Sequence, residues 1–251
     1  MHFLTPLFLF SSLLPRLCQA NVEKTVFLAP APTLIPSQDL APDDLGLERL
    51  SPQTGVLRTY LNASFPTEQS PLGAESWFFL EDLNPGQRYE VRVCWSATQP
   101  TAFALTTHTI PSTLQDASLM SSIAAFSSAR IASLQMAHLK RNTGKVGDNA
   151  REPPPSSSPS PSDSVLFLRI HAGADYFTLN TSLMENVPPV LVDVILDPYL
   201  LNVFPRSLVP TAGWISVVAG FAWVVARGLA GAFSNIADEA EAADREGMKK
   251  R

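Results

Sequence analysis

The clearest pattern in the chain is an alternation. From Tyr89 to Trp95, apolar Tyr89, Val91, Val93 and Trp95 take every second position, and Glu90, Arg92 and Cys94 fill the gaps. A period of two predicts a strand with one buried face. Upstream, Trp77-Phe78-Phe79-Leu80 reads as a short apolar strand. Leu83-Asn84-Pro85-Gly86 reads as a turn, because Pro fixes φ and Gly accepts positive φ. Downstream of Gln99-Pro100, Ala102 to Thr107 is strand-like.

Other segments carry the same signal. Val22 to Leu28 and Val56 to Leu61 predict strands near the start of the body. Val165 to Ile170 predicts a mostly buried one. Val190, Val192, Val194 and Leu196 alternate on one face, with Pro188-Pro189 before them and Asp197-Pro198 at the end. The Leu-x-Pro-Gly-x-x-Tyr-x-Val-x-Val run, Leu83 to Val93, resembles the corner of immunoglobulin-like and fibronectin type III sandwiches. There a Tyr hydroxyl ties the corner to upstream backbone. The expected fold is an all-β domain, an antiparallel sandwich of that kind.

The regular pattern breaks between its halves. Leu119, Ile123, Phe126, Arg130 or Ile131, and Leu134 fall at helical spacing, which predicts a helical insertion over 112–140, capped by Ser112. Its plain use is to cover a sheet edge; binding a partner is the other. Residues 142–164 are almost free of apolar side chains and hold Pro153-Pro154-Pro155 followed by Ser-Pro alternation. Such a segment buries too little surface to offset its ordering entropy, so a disordered loop is expected.

The two longest apolar runs lie at the ends. Phe3 to Leu14 is followed by small residues at Cys18 and Ala20, the pattern of a signal peptide over 1–20 cleaved before Asn21. Leu208 to Ala226 is 19 residues without a charge, and a bilayer core needs about 20 helical residues. The expected transmembrane helix is 208–233, with Arg227 snorkelling to the interface and Trp214 and Trp223 in lipid-facing or interfacial positions. Arg227, Arg245, Lys249, Lys250 and Arg251 follow the apolar run, whereas Arg206 alone lies close before it. That bias keeps the C-terminal side cytosolic. The expected organisation is a single-pass type I protein with a lumenal body over 21–207 and a cytosolic tail over 234–251.

Composition narrows the classes further. The 251 residues are 45 % hydrophobic and only 16 % charged. A net charge of −5 argues against a phosphate-binding surface, so nucleic acid is not an expected partner. Two cysteines rule out a disulfide-built scaffold, and signal cleavage would leave only Cys94. Asn62-Ala63-Ser64 and Asn180-Thr181-Ser182 are sequons that a secretory lumen would glycosylate at Asn62 and Asn180.

The search for chemistry returns little. The four histidines form neither HExxH nor a Cys/His cluster, so no metal is expected. There is no GxSxG motif and no phosphate-cradling glycine loop, and no cofactor is expected. Asp193 and Asp197 would share a strand face, and His171 lies near Asp175, but neither pair carries a recognised catalytic spacing. Residue by residue, the chain reads as a module without catalytic residues on one membrane helix.

Several segments together resemble one family, the fungal GPI mannosyltransferase II co-activators. They are Asn21 to Pro30, Glu75 to Phe78, Tyr89 to Thr101, Ala174 to Phe177, Leu183 to Asn186, and Leu196 to Leu208. The Leu196-Asp197-Pro198-Tyr199 and Phe204-Pro205-Arg206-Ser207 pieces are the specific ones. The resemblance implies an accessory subunit in the endoplasmic reticulum membrane, partnered with the multispanning catalytic subunit that adds the second mannose during GPI-anchor assembly. It implies no transferase chemistry in this chain.

A partner-facing site is expected where the body meets the membrane. Asp197, Pro198, Tyr199, Phe204, Pro205 and Arg206 mix aromatic anchors with a guanidinium, as interfaces do. The same stretch also suits a juxtamembrane linker. Gly213, Gly220, Gly228 and Gly231 permit close helix packing, and Arg227 is placed either to pair with a partner carboxylate or to snorkel. The alternative function is a single-pass cell-surface adhesion or receptor module on the same fold.

Overall fold

A computed structural model of the chain describes residues 21–33, 45–142 and 164–249. The signal peptide expected over 1–20 lies outside the described residues, as does nearly all of the loop expected over 142–164. The chain divides into two compact units, one ending at Val203 and the other beginning at Phe204.

The first unit is mostly β-sheet. Its strands are β1 (Val22–Leu28), β2 (Glu48–Leu50), β3 (Val56–Leu61), β4 (Ala74–Leu83), β5 (Arg88–Trp95), β6 (Thr101–Thr109), β7 (Ser164–Ala174) and β8 (Val190–Leu200). One sheet runs β1-β5-β8-β3 and the other β2-β4-β7-β6. All pairs are antiparallel except β2–β4, which is parallel and departs from the wholly antiparallel expectation.

The alternation along β5 does what its period predicts. Tyr89, Val91 and Val93 are fully buried, and they meet Val192, Val194 and Leu196 of β8 in one core. Phe78, Leu80, Leu166, Leu168 and Ile170 of the other sheet enter the same core. The two sheets therefore share one apolar interior. Each fully buried large side chain there stabilises the fold by about 1.5–3 kcal/mol.

β4 and β7 are apolar on both faces because both faces are covered. Trp77, Phe79, Val165 and Phe167 point away from the first core and form a second with Leu119, Ile123 and Ile110. The helices that supply these residues are α1 (Ile110–Gln115) and α2 (Ala117–Asn142). The insertion thus packs on a sheet face. It is also split. Thr109, not Ser112, caps α1 by accepting the Ser112 N–H at 3.2 Å. Asp116 ends α1 in an extended conformation, and its carboxylate accepts the Ser118 N–H at 2.8 Å, which starts α2. A short carboxylate competing for backbone donors breaks the helix there. A third helix, α3 (Thr181–Glu185), precedes β8.

The second unit opens with β9 (Phe204–Pro205), a single 3₁₀ turn over Arg206–Leu208, and then α4 (Val209–Lys249). Arg206–Asn235 is long and apolar enough to cross a membrane, with a mean hydropathy of 1.8, and its side chains are not buried in protein. The helical backbone of α4 continues past residue 234 to Lys249.

Candidate functional site

Much of the polar structure gathers at the end of the first sheet where β5 begins and β8 ends. The β4–β5 corner is held by Tyr89, whose hydroxyl accepts the Asn84 N–H at 3.0 Å and donates to the Gln87 side chain at 3.1 Å. Gln87 in turn donates to the Tyr199 carbonyl at 2.9 Å. Asn202 closes the end. Its Oδ1 accepts the Arg88 N–H at 2.8 Å and its Nδ2 donates to the Gly86 carbonyl at 2.9 Å.

The outer face beside this corner carries a charge network. Antiparallel register sets Glu90 opposite Asp197, so two carboxylates sit side by side at 3 % and 5 % exposure. Buried charges need partners. Lys24 lies 3.0 Å from Glu90, and Arg92 reaches Glu90 at 3.5 Å and Asp197 at 3.9 Å. Tyr199 adds a hydroxyl donor to Glu90 at 3.3 Å. Burial and the Glu90 charge hold the Tyr199 phenol above its usual range, so it stays a neutral donor. The Arg88 guanidinium lies 5.9 Å from the Tyr199 ring centre.

The sequence-predicted interface residues fall into different settings. Asp197 is buried in β8 and Pro198 and Tyr199 are half-buried beside it. Tyr199 bonds Glu90, and Arg92 links Glu90 to Asp197. Phe204 and Pro205 are half-exposed and Arg206 is exposed at the start of the second unit. Arg227 is exposed on α4, with its guanidinium 5.0 Å from the Trp223 ring. Gly213, Gly220, Gly228 and Gly231 have open space where a Cβ would stand.

The two sequon asparagines are both exposed. Asn62 follows β3. Asn180 caps α3 through Oδ1, which accepts the Ser182 N–H at 3.1 Å. A glycan attaches at Nδ2, so cap and modification use different atoms.

Asp193 and Asp197 share a face but stand four strand residues, about 13 Å, apart. Asp193 is engaged by Arg58 in a two-pronged ion pair at 2.7 and 2.8 Å, which holds its carboxyl below the ordinary range. Cys94 is free and half-buried, and burial, with Asp193 nearby, pushes its thiol up. Among the described residues no group of three or more His, Cys, Asp or Glu side chains is placed to hold a metal ion.

Sequence reasoning missed a second cluster, on the outer face of β4 and β7. His171 pairs in register with Glu75, not with Asp175, and its Nε2 lies 3.8 Å from the Glu75 carboxylate. Arg169 donates to Glu75 from Nε at 2.9 Å and lies 5.4 Å from the Trp77 ring centre. Burial pushes the Glu75 carboxyl up, but the Ser122 hydroxyl and Arg169 outweigh it, and the net shift is downward. Glu75, Arg169 and His171 line a cleft of about 380 Å³ with Gln69, Ser70, Pro71 and Leu72. The signal was available only through register: positions 75, 169 and 171 are far apart in the chain.

No curated protein and no solved structure matches the chain. A family model does, over residues 13–127. Those residues run through β1 to β6 and α1 into α2, and include the Tyr89 corner; Ala174 to Leu208 lie beyond them. The pathway of that family implies a mannosyltransferase partner and the endoplasmic reticulum membrane. That model is the one described as GPI-Mannosyltransferase II co-activator, the family the sequence resembles.

Proposed function

We propose that this chain is a non-catalytic, stabilising subunit of the endoplasmic reticulum GPI mannosyltransferase II, supporting transfer of the second mannose in GPI-anchor assembly. The observation that carries the reading is the co-activator family match over residues 13–127. The apolar stretch Arg206–Asn235 supports the membrane part of it.

In this reading residues 1–20 are a cleaved signal peptide, 21–207 a lumenal domain, 208–233 the membrane span and 234–251 a cytosolic tail. The orientation is type I, as the basic C-terminal flank favours. The lumenal domain is a sandwich of the immunoglobulin or fibronectin III kind, supported by the Tyr89–Asn84 bond and the core its two sheets share. Asn62 and Asn180 carry glycans. The partner is a multispanning catalytic subunit, because a polyprenyl-linked donor needs a lipid-accessible cavity that one helix does not build. Phe204, Pro205, Arg206 and Arg227 face that partner. Asp197, Pro198 and Tyr199 shape the end of β8.

Depletion tests the proposal. Cells lacking the protein should accumulate the one-mannose GPI intermediate and display fewer GPI-anchored proteins. The catalytic subunit should co-isolate with the chain in mild detergent. Unchanged lipid intermediates on depletion would refute it.

A further inference from the structure

We propose that the turn Leu200–Val203 is a bilayer-contacting tip that seats the β-sheet unit on the lipid interface. The inference rests on reading Arg206–Asn235 as a membrane span.

Leu201 is 95 % exposed and Val203 78 % exposed. The Val203 N–H bonds the Leu200 carbonyl at 3.1 Å, and Leu201 and Asn202 both have positive φ, 51° and 59°. Such a turn favours Gly or Asn at its first central position. Here a leucine stands there with its side chain in the open. Water offers that leucine nothing in return for an unfavourable backbone; an apolar phase does.

The tip is also held in place. Asn202 grips Arg88 and Gly86 of the corner through both ends of its amide. Behind it, Tyr199 and Arg88 form the aromatic and cationic pair that suits headgroup depth. Leu28, paired in register with Arg88, is exposed at the same end of the sheet.

Chain length selects the occupant. Five residue steps separate Leu201 from Arg206, where the apolar stretch begins. Fully extended, they reach about 18 Å. Once the helix is inserted, its outer end and the surrounding lipid headgroups lie within that radius of the tip.

The test uses the full chain with Cys18 and Cys94 replaced by Ser, reconstituted in phosphatidylcholine nanodiscs. An environment-sensitive fluorophore is placed at Leu201→Cys, at Val203→Cys, at Ala97→Cys beyond the other end of β5, and at Gly220→Cys in α4. The 201 and 203 probes should be quenched by lipids carrying a nitroxide near the headgroup. Aqueous iodide should quench them severalfold less than the 97 probe. Iodide access at 201 and 203 equal to that at 97, with the 220 probe quenched by deep nitroxides, overturns the proposal and leaves the span intact. A 220 probe untouched by deep nitroxides refutes the span, and the proposal with it. Protection of the tip that appears only when the mannosyltransferase is co-reconstituted identifies a protein contact and also overturns it.

Discussion

The Tyr89 hydroxyl accepts a hydrogen bond from the Asn84 N–H across the β4–β5 corner, from a side chain that is wholly buried. Tyr89→Phe keeps the packing and removes the acceptor. Losing a hydrogen bond of this kind costs about 0.5–1.5 kcal/mol. For a domain of this size each kcal/mol is worth about 2–4 °C in Tm. Thermal unfolding of the purified protein should show a fall of several degrees, whereas Tyr176→Phe, whose exposed hydroxyl donates to the Leu183 carbonyl, should show much less.

That corner was legible because everything it needs is local: a Pro-Gly turn, a Tyr three residues on, and an alternating strand. The strands β1, β3, β5 and β8 were legible for the same reason. What could not be read was pairing. The parallel run of β2 beside β4 and the meeting of Glu75, Arg169 and His171 depend on which strands become neighbours, and a single sequence carries no record of that. The break at Asp116 was missed because the apolar spacing on either side continues as if nothing intervened. Of the stretch proposed to face a partner, composition located the aromatic and basic residues, but it did not reveal that Asp197 is buried against Arg92.

Acid should destabilise the fold before its carboxylates titrate. Burial, with Arg169 adding to it, holds His108 and His171 below the ordinary value of 6.5. As pH falls the unfolded chain therefore takes up these protons first. The stability they contribute is present above about 6.5 and is lost as pH falls below it. Unfolding curves between pH 7.5 and 5.5 should show Tm falling. The double variant His108→Gln, His171→Gln should flatten that slope. The Glu75 carboxyl is also held below its ordinary value, there by partners that favour its charged form, and it adds a separate loss as pH falls below the ordinary carboxylate range.

Gly73 is a position where a side chain has no room. Its φ is +83°, and an added Cβ would meet the Ala172 carbonyl oxygen at 2.3 Å and the Gly173 Cα at 2.6 Å, both backbone atoms. Backbone cannot move aside without breaking the β4–β7 register that begins at the next residue. Gly73→Ala should lower stability by about 1–3 kcal/mol or more. Gly86→Ala gives the comparison: it has positive φ but open space, so only the conformational part of the cost remains. Denaturant midpoints for the two variants should differ in that order.

Asn180 allows modification and folding to be separated. Asn180→Asp removes the sequon but keeps an acceptor for the Ser182 N–H, and Asn180→Gln removes both. Each variant should run faster on gels by one glycan, as should Asn62→Gln. None should shift the global unfolding midpoint appreciably, since α3 has no buried residue and frays locally. Equal mobility of wild type and all three variants would show both sites unoccupied.

The juxtamembrane residues make the sharpest contrast between holding a partner and holding the fold. Phe204 and Pro205 are half-exposed and Arg206 is exposed, so replacing all three by Ala should leave the unfolding midpoint of the β-sheet unit unchanged. Recovery of the catalytic subunit in mild detergent should fall severalfold, since exposed aromatic and arginine side chains are the groups that dominate interface energies. Asp197→Ala acts differently. It strips a buried carboxylate from the network with Arg92 and Glu90, and breaking such a network by removing one member is strongly destabilising, on the order of 3 kcal/mol. Its first effect should be loss of folded protein, with the partner lost in proportion. Measuring recovery per folded molecule separates the two: the triple variant should lose partner per molecule, and Asp197→Ala should not. The reverse result would place the contact on β8 and leave Phe204 to Arg206 as a linker.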